Sequence, residues 1–454
     1  MQTDPAPVLP APSTTAFVGP AAHGPVDMPV RIADLADHVA TFRPDGGPPT
    51  ALDTAVELFF ANGGTEAVVV RSAGAAPDQV VPVGGSGGLH AVPGPFSVLV
   101  LAGVTAEHPL AVAGALDRCE LERAVLLLDL PPDADATTAR LLTAQVSASR
   151  SRAAAYLPWL VVDEGGERTA VPPSGAVAGV LSRMAAEGAW GAPAGADATL
   201  RAVSGTTAEV RQADLERLAL DGVNTVRTFP GGPQLWGART LAARDSSEPA
   251  ERYLSVRRLT DHVLTSLEDG MQFVAGRRPE PGVGDLVRRR AEDFLDGLWR
   301  RGALVGDRPE RAYFARCDAS TTTSEDLAAG RMVLLVGLAA LKPGEFEVHR
   351  LVLDTAVASA PQVLPAQAAL AAATRAAKER LTVVRRVDLR PLVSGDAVET
   401  ERRLSREFSA AASSSTVLLL QEADSALARR SVGPLIERLS RESGVPYVLS
   451  GRRR

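Results

Sequence analysis

Apolar positions along this chain fall into short runs separated by polar and glycine-rich breaks. Ala16–Gly19 (AFVG), Ala67–Arg71 (AVVVR), Ser97–Ala102 (SVLVLA), Ala124–Asp129 (AVLLLD) and Tyr156–Val162 (YLPWLVV) have the length and continuity of buried strands. Between them the period lengthens. Thr50–Asn62 (TALDTAVELFFAN) places Leu52, Val56, Phe59 and Phe60 on one helical face, and Asn62-Gly63-Gly64 stops the helix. Further helices are expected near 109–118 and 136–150, and GGSGG at 84–88 is a loop. Alternation of strand and helix predicts a mostly parallel sheet with helices on its faces.

From about residue 225 the texture changes. Glu251–Glu268 is a predicted helix with Leu254, Leu259, Val263 and Leu267 toward a core, and Val283–Arg301 is another. Ala312–Arg316, Met332–Leu338 and Phe346–Leu353 are predicted strands, so this block is α+β. Thr355–Ala366 (TAVASAPQVLPA) has the composition of a linker. Beyond it come helix Ala368–Leu381, strand Thr382–Leu389, helix Val398–Ala411, strand Thr416–Leu420, helix Val432–Ser443 and strand Pro446–Leu449, a small α/β unit. Residues 1–15 are proline-rich and expected to form an extended, poorly ordered arm. The expected organisation is arm 1–15, α/β region 16–225, α+β domain 226–354, linker 355–365 and α/β module 366–454.

Composition narrows the function classes. The 454 residues are 45% hydrophobic and 22% charged, enough for several real cores. A net charge of −6 argues against a general nucleic-acid binder. Of 48 basic residues only Lys342 and Lys378 are lysine, a compositional bias rather than a functional signal. Cys119 and Cys317 lack CxxC spacing, so neither a disulfide framework nor a zinc site is expected, and a reducing cytoplasm fits. MQTDPAPVLPAPSTTAF has no basic and apolar segments of a signal peptide, and no run of ~18 apolar residues predicts a membrane span.

Several ordered phrases carry a family resemblance over roughly 13–354. They include STTAFVGPAAHGPVDMPVRI at 13–32, LFFANGGTEAVVVR at 58–71 and, after YLPWLVV, VPPSGAVAGVLSRMAAEGAWGAPAG at 171–195. GVNTVRTFPGGPQLWGARTLA at 222–242, RYLSVRRL at 252–259, FLDGLWRRGAL at 294–304, RCDASTTTSEDLAAGRMV at 316–333 and LKPGEFEVHRLV at 341–352 follow in order. Together they resemble the contractile tail sheath proteins of phage tails and phage-like injection systems. The resemblance implies a subtilisin-like middle domain, an α+β C-terminal domain facing an inner tube, and no active site or cofactor. It implies hexameric rings stacked as a helical sheath, with an inner tube protein, baseplate and cap proteins as partners and no nucleic acid or membrane. Assembly in the cytoplasm into a tail-like particle is the expected location. Subunits of this family join by strand addition at open sheet edges. Here Phe346–Leu353 is the natural linking strand, with Phe346, Val348, Leu351 and Leu353 as its candidate residues. The arm ahead of AFVG is short and proline-rich, and prolines remove ladder donors, so exchange through residues 1–12 is not expected. Arg257 and Arg258 are adjacent on their helix, either as a solvated face or as tube-facing cations. In FPGGPQLWGART the glycines and proline allow a tight turn that Trp236 can cover.

No hydrolytic constellation stands out. His23, His38, His90, His108, His262 and His349 lie outside any protease phrase, Ser174 in PPSGAV is a helix opener, and Cys317 is a buried structural thiol. The last block resembles something else. VVRRVDLRPLVS, GDAVETERRLSREFSAAA, VLLLQEADSALARRS and PYVLSG are similar, in that order, to the core of an AAA+ ATPase. The phosphate loop is missing, because neither Lys342 nor Lys378 stands in GxxxxGK[ST]. In the acidic strand Gln421 occupies the metal-holding position, with Glu422 and Asp424 beyond it, and a neutral amide is a poor magnesium ligand. The expectation is a degenerate module whose partner is a companion AAA+ ATPase. Three functions therefore compete: a structural sheath subunit, a particle-remodelling ATPase, and a sheath-like adaptor that does not polymerise.

Overall fold

The computed structural model describes residues 8–9, 13–83, 86–147, 149–164, 166–188, 190–275, 277, 281–355, 364–379, 383–393, 397–413, 416–421, 423 and 432–451. The chain divides into two compact units, Met1–Thr355 and Ala356–Arg454. The early strands of the first are β1 (Thr15–Gly19), β2 (Pro29–Ile32), β3 (Ala67–Arg71), β4 (Val98–Thr105), β5 (Val125–Asp129), β6 (Ala153–Leu157), β7 (Leu160–Glu164), β8 (Glu167–Val171), β9 (Gly205–Thr206), β10 (Val223–Phe229) and β11 (Gly232–Trp236).

Eight of these form one sheet in the order β11-β10-β6-β5-β4-β1-β3-β2. Its six central strands run parallel, and an antiparallel strand closes each edge. The continuous apolar runs follow from burial on both faces. Phe17, Val69, Val100, Leu127 and Tyr156 point to one side, against helices Ala51–Ala61 and Ser174–Ala186. Val18, Val70, Leu101, Leu126 and Leu128 point to the other, against helix Pro109–Glu122.

Three expectations are corrected. Tyr156–Val162 is not one strand: Pro158, which lacks an N–H for a ladder, separates β6 in the large sheet from β7 in a small antiparallel sheet, β8-β7-β9. The helix expected over 136–150 ends at Ala144. The change of texture at residue 225 falls inside β10, so the α/β layer continues through Trp236.

Helices Ala51–Ala61 and Ser174–Ala186 pack closely because the latter presents glycine at two positions one turn apart. A Cβ on Gly175 or Gly179 would lie 2.3 Å from the carbonyl oxygen of Ala55 or Phe59. At the start of the first of these helices, Thr50 and Asp53 form a capping box, and Asp53 also pairs with buried His38 at 2.8 Å.

The rest of the first unit is α+β. Helices Leu254–Gly270 and Pro281–Arg300 cover an antiparallel sheet of β12 (Tyr313–Arg316), β13 (Arg331–Leu338) and β14 (Glu347–Asp354). Leu334, Val336, Leu351 and Leu353 meet Val263, Leu267 and Leu295 there. Val8 joins the same core, and a Cβ on Gly270 would lie 2.6 Å from its side chain, so the described part of the arm is anchored.

The second unit is a parallel sheet, β15 (Leu364–Pro365), β16 (Val384–Asp388), β17 (Val417–Gln421) and β18 (Tyr447–Gly451), in the order β15-β18-β17-β16. Ala369, Ala373 and Ala377 of helix Ala366–Glu379 pack on Val417 and Leu419. Leu404 and Phe408 of helix Ala397–Ser413, with Ile436 and Leu439 of helix Val432–Ser443, pack on Leu418, Leu420 and Leu449. Helices thus lie on both faces. Most of the expected linker, 356–363, is outside the described residues.

Glycine to alanine in a helix ordinarily stabilises it by ~1 kcal/mol. Gly179→Ala is expected to do the reverse here, costing about 1–3 kcal/mol through overpacking. Urea unfolding of the variant checks the sign.

Candidate functional site

An open sheet edge is the main surface feature among the sequence-derived candidates. β14 pairs with β13 from Glu347↔Leu338 to Asp354↔Arg331, and it is an edge of its sheet. Its period-two pattern splits the candidates. Leu351 and Leu353 are buried in the core, whereas Val348 and the unsuspected Val352 point outward, 55% and 43% exposed. Phe346 precedes the strand and stacks edge-on against Phe314 at 5.2 Å. An edge of the eight-stranded sheet behaves differently. β11 is met by backbone of residues 195–200, Gly195 N–H donating to Leu235 and Leu200 N–H to Pro233. Trp236 lies on Phe229, with Arg227 over both rings.

The arginine pair makes its hydrogen bonds within the chain. Arg257 donates to Asp261 at 2.9 and 3.2 Å, and its side chain is only 13% exposed. Arg258 is buried, donates to the Leu181 carbonyl at 3.0 Å and lies over Trp190. Burial pushes its guanidinium down to about 10, against a smaller opposing effect of Tyr156. Both are occupied inside the subunit.

They belong to a seam that sequence reasoning missed. Arg152, just before β6, donates to Asp261 at 2.5 Å and to Glu120 at 3.1 Å. Burial pulls this guanidinium down, but Asp261 and Glu120 more than restore it. Arg123 pairs with Glu268 at 2.5 Å on the same helix. Beside them His262 stacks on Trp190, ring centroids 4.5 Å apart. Burial, then Arg258 and Arg301, depress His262 to about 4. The acidic positions at 261 and 268 are visible in the sequence, but Arg152 and Arg123, which cross the seam to them, lie more than a hundred residues away.

Ser174 opens its helix as expected, and its hydroxyl donates to Asp129 at 2.6 Å. Burial raises Asp129 to about 7, despite the Ser174 hydroxyl and N–H that favour its charged form. Among the described residues no histidine hydrogen-bonds to this pair, and burial suits a structural cap. Cys317 is also buried, and burial, then Asp318 and Asp285, push its thiol up to about 11. Among the described residues no His, Cys, Asp and Glu group is placed to hold a metal ion, and no helix is long and apolar enough to cross a membrane.

In the second unit β15 passes directly into helix Ala366–Glu379, leaving no residue for a phosphate-cradling loop at that junction. Gln421 ends β17; Glu422 and Asp424 lie outside the described residues.

No family model matches the sequence, and no curated protein matches it. Solved structures do. The sheath complex of PVC, an extracellular contractile injection system, in its contracted state is 25% identical with a TM-score of 0.63, covering 77% of this chain and 94% of that one. The contracted helical sheath of the anti-feeding prophage, AFP, is 25% identical with a TM-score of 0.63, covering 77% and 96%. A chain of the 6-fold symmetrised AFP baseplate shares the fold at 24% identity and a TM-score of 0.60, covering 78% and 98%. The chain has the fold of contractile injection system sheath proteins, and the sheath resemblance of the sequence phrases holds.

Two outcomes follow from the seam and the cap. Asp261→Ala leaves buried Arg152 with Glu120 alone and half-buried Arg257 without its carboxylate, and is expected to cost about 3–5 kcal/mol in urea unfolding. Asp129 has a folded value above its unfolded ~3.9, so its stabilisation is complete at low pH and is lost as pH rises through about 7. His262 is depressed below its unfolded ~6.5, so its contribution is present above that value and is lost as pH falls toward about 4. The two slopes oppose each other. Asp129→Asn removes the first, and its stability should rise more steeply with pH than the wild type's across that window in a pH series of unfolding curves.

Proposed function

We propose that this chain is a structural subunit of the contractile sheath of a phage tail-like injection system. It polymerises around an inner tube, associates with a baseplate, and contracts to drive the tube through a target envelope. The match to contracted PVC and AFP sheath subunits over nearly their whole length carries this reading. The buried arginine seam supports it, because a force-bearing subunit needs layers that do not slide. No catalytic step is assigned to the chain.

Edge strand β14 is the proposed joint between subunits. Its core-facing leucines hold it on β13, while its other edge and the outward Val348 and Val352 are available for a neighbour. The subtilisin-like description of the middle layer and the cytoplasmic site of assembly belong to the same reading.

A second reading rests on the second unit. It has its own parallel sheet and cores and follows a unit that by itself has the sheath-type layers. As a degenerate AAA+-like module it would dock a companion ATPase, and the chain would serve as an adaptor or assembly factor.

Co-expression with the tube protein and negative-stain electron microscopy separates the two. Long striated cylinders are expected; rings or monomers alone would overturn the sheath reading in favour of the adaptor. Val348→Glu with Val352→Glu changes only outward positions of β14. This pair should leave the unfolding midpoint within ~0.5 kcal/mol of wild type and abolish long cylinders.

A further inference from the structure

Helix Leu254–Gly270 turns a polar stripe, Arg258, Asp261, His262 and Thr265, toward the seam instead of toward solvent. With Trp190 and Arg123 the stripe lines a cavity of about 40 Å³. One water needs ~10–15 Å³ on this measure, so the space exceeds a single water but excludes a nucleotide or sugar. The charges around it do not balance. Asp261 takes Arg152 and Arg257, Glu122 takes Arg118, and Arg123 takes Glu268. Arg258, 6% exposed, has no ion pair to a carboxylate among the described residues. Its hydrogen bond goes to one neutral carbonyl, Leu181, and Trp190 covers its face. A guanidinium has five N–H donors, and among the described residues Arg258 lines the cavity with only one of them in a side-chain hydrogen bond, to Leu181.

We propose that this cavity binds a small monovalent anion, of halide or formate size, on the remaining N–H donors of Arg258. Both carboxylates on its wall are already held by arginines, which reduces their repulsion of an anion. His262 stays neutral near pH 7 and so can offer a ring N–H without bringing a second charge. Binding gives Arg258 its counter-ion and strengthens the attachment of its helix to the end of helix Ser174–Ala186, where Leu181 lies.

The test uses the full chain at constant ionic strength, with sodium gluconate replaced stepwise by chloride or by formate. Wild type should show a saturable rise in Tm with both ions and none with sulfate. Arg258→Gln should lose the rise, and Arg258→Lys, which keeps charge but not the planar fork, should need at least tenfold more chloride for half-saturation. A crystal grown in bromide should show an anomalous peak within hydrogen-bond distance of Arg258. An equal chloride response in wild type and Arg258→Gln overturns the proposal, as does a bromide crystal with no peak there. If Arg258→Gln fails to fold, the wild-type bromide crystal decides alone.

Discussion

The first unit depends on how helix Leu254–Gly270 is fastened to the eight-stranded sheet layer, and guanidinium groups do much of that fastening. Arg152 reaches out from the start of β6 to Asp261, Arg123 reaches Glu268, and Arg258 reaches back to Leu181. Apolar contact alone is non-directional and tolerates sliding. A planar guanidinium with fixed donor directions does not, and a buried one is costly to detach. The seam therefore fixes the register between the α/β layer and the α+β layer. This property suits a subunit whose proposed work is to move as a body while its neighbours change position around it.

The same sheet gives most of its side chains to the two cores. Its central strands are covered on both faces, so their side chains are spent on packing. Ser174 and Asp129 superficially resemble part of a hydrolytic relay, yet they lie at a strand end under a helix start, and their hydrogen bond serves as a cap. What remains available is backbone at the sheet margins. One margin, β11, is covered by backbone of residues 195–200. The small sheet leaves β14 at its edge with two exposed valines. Edges of this kind invite pairing, which natural monomers normally suppress.

The second unit, proposed above as a degenerate AAA+-like module, is a packed α/β fold in its own right. Its parallel sheet has helices on both faces, and its cores close around Phe408, Leu418 and Ile436. A phosphate loop needs a glycine-rich turn between strand and helix, and here the strand enters the helix directly. The proposed docking role would require only the surface.

The sequence by itself determined the apolar runs of the parallel sheet, the helix start at Ser174, the α+β character after the large sheet, and a small α/β block at the end. These are local quantities, set by period, proline and glycine, and they can be read within a window of a dozen residues. Its ordered phrases also carried the sheath resemblance. Only the tertiary structure decided that Pro158 separates two sheets, that β10 and β11 belong to the first layer, and that Arg258 is buried over Trp190. Only it showed that Val352 joins Val348 on the open face of β14 and that Arg152 belongs to Asp261. Each depends on which distant segment supplies a partner. An arginine reads the same in sequence whether its counter-charge is four residues away or more than a hundred, and the folded chain alone brings the two together.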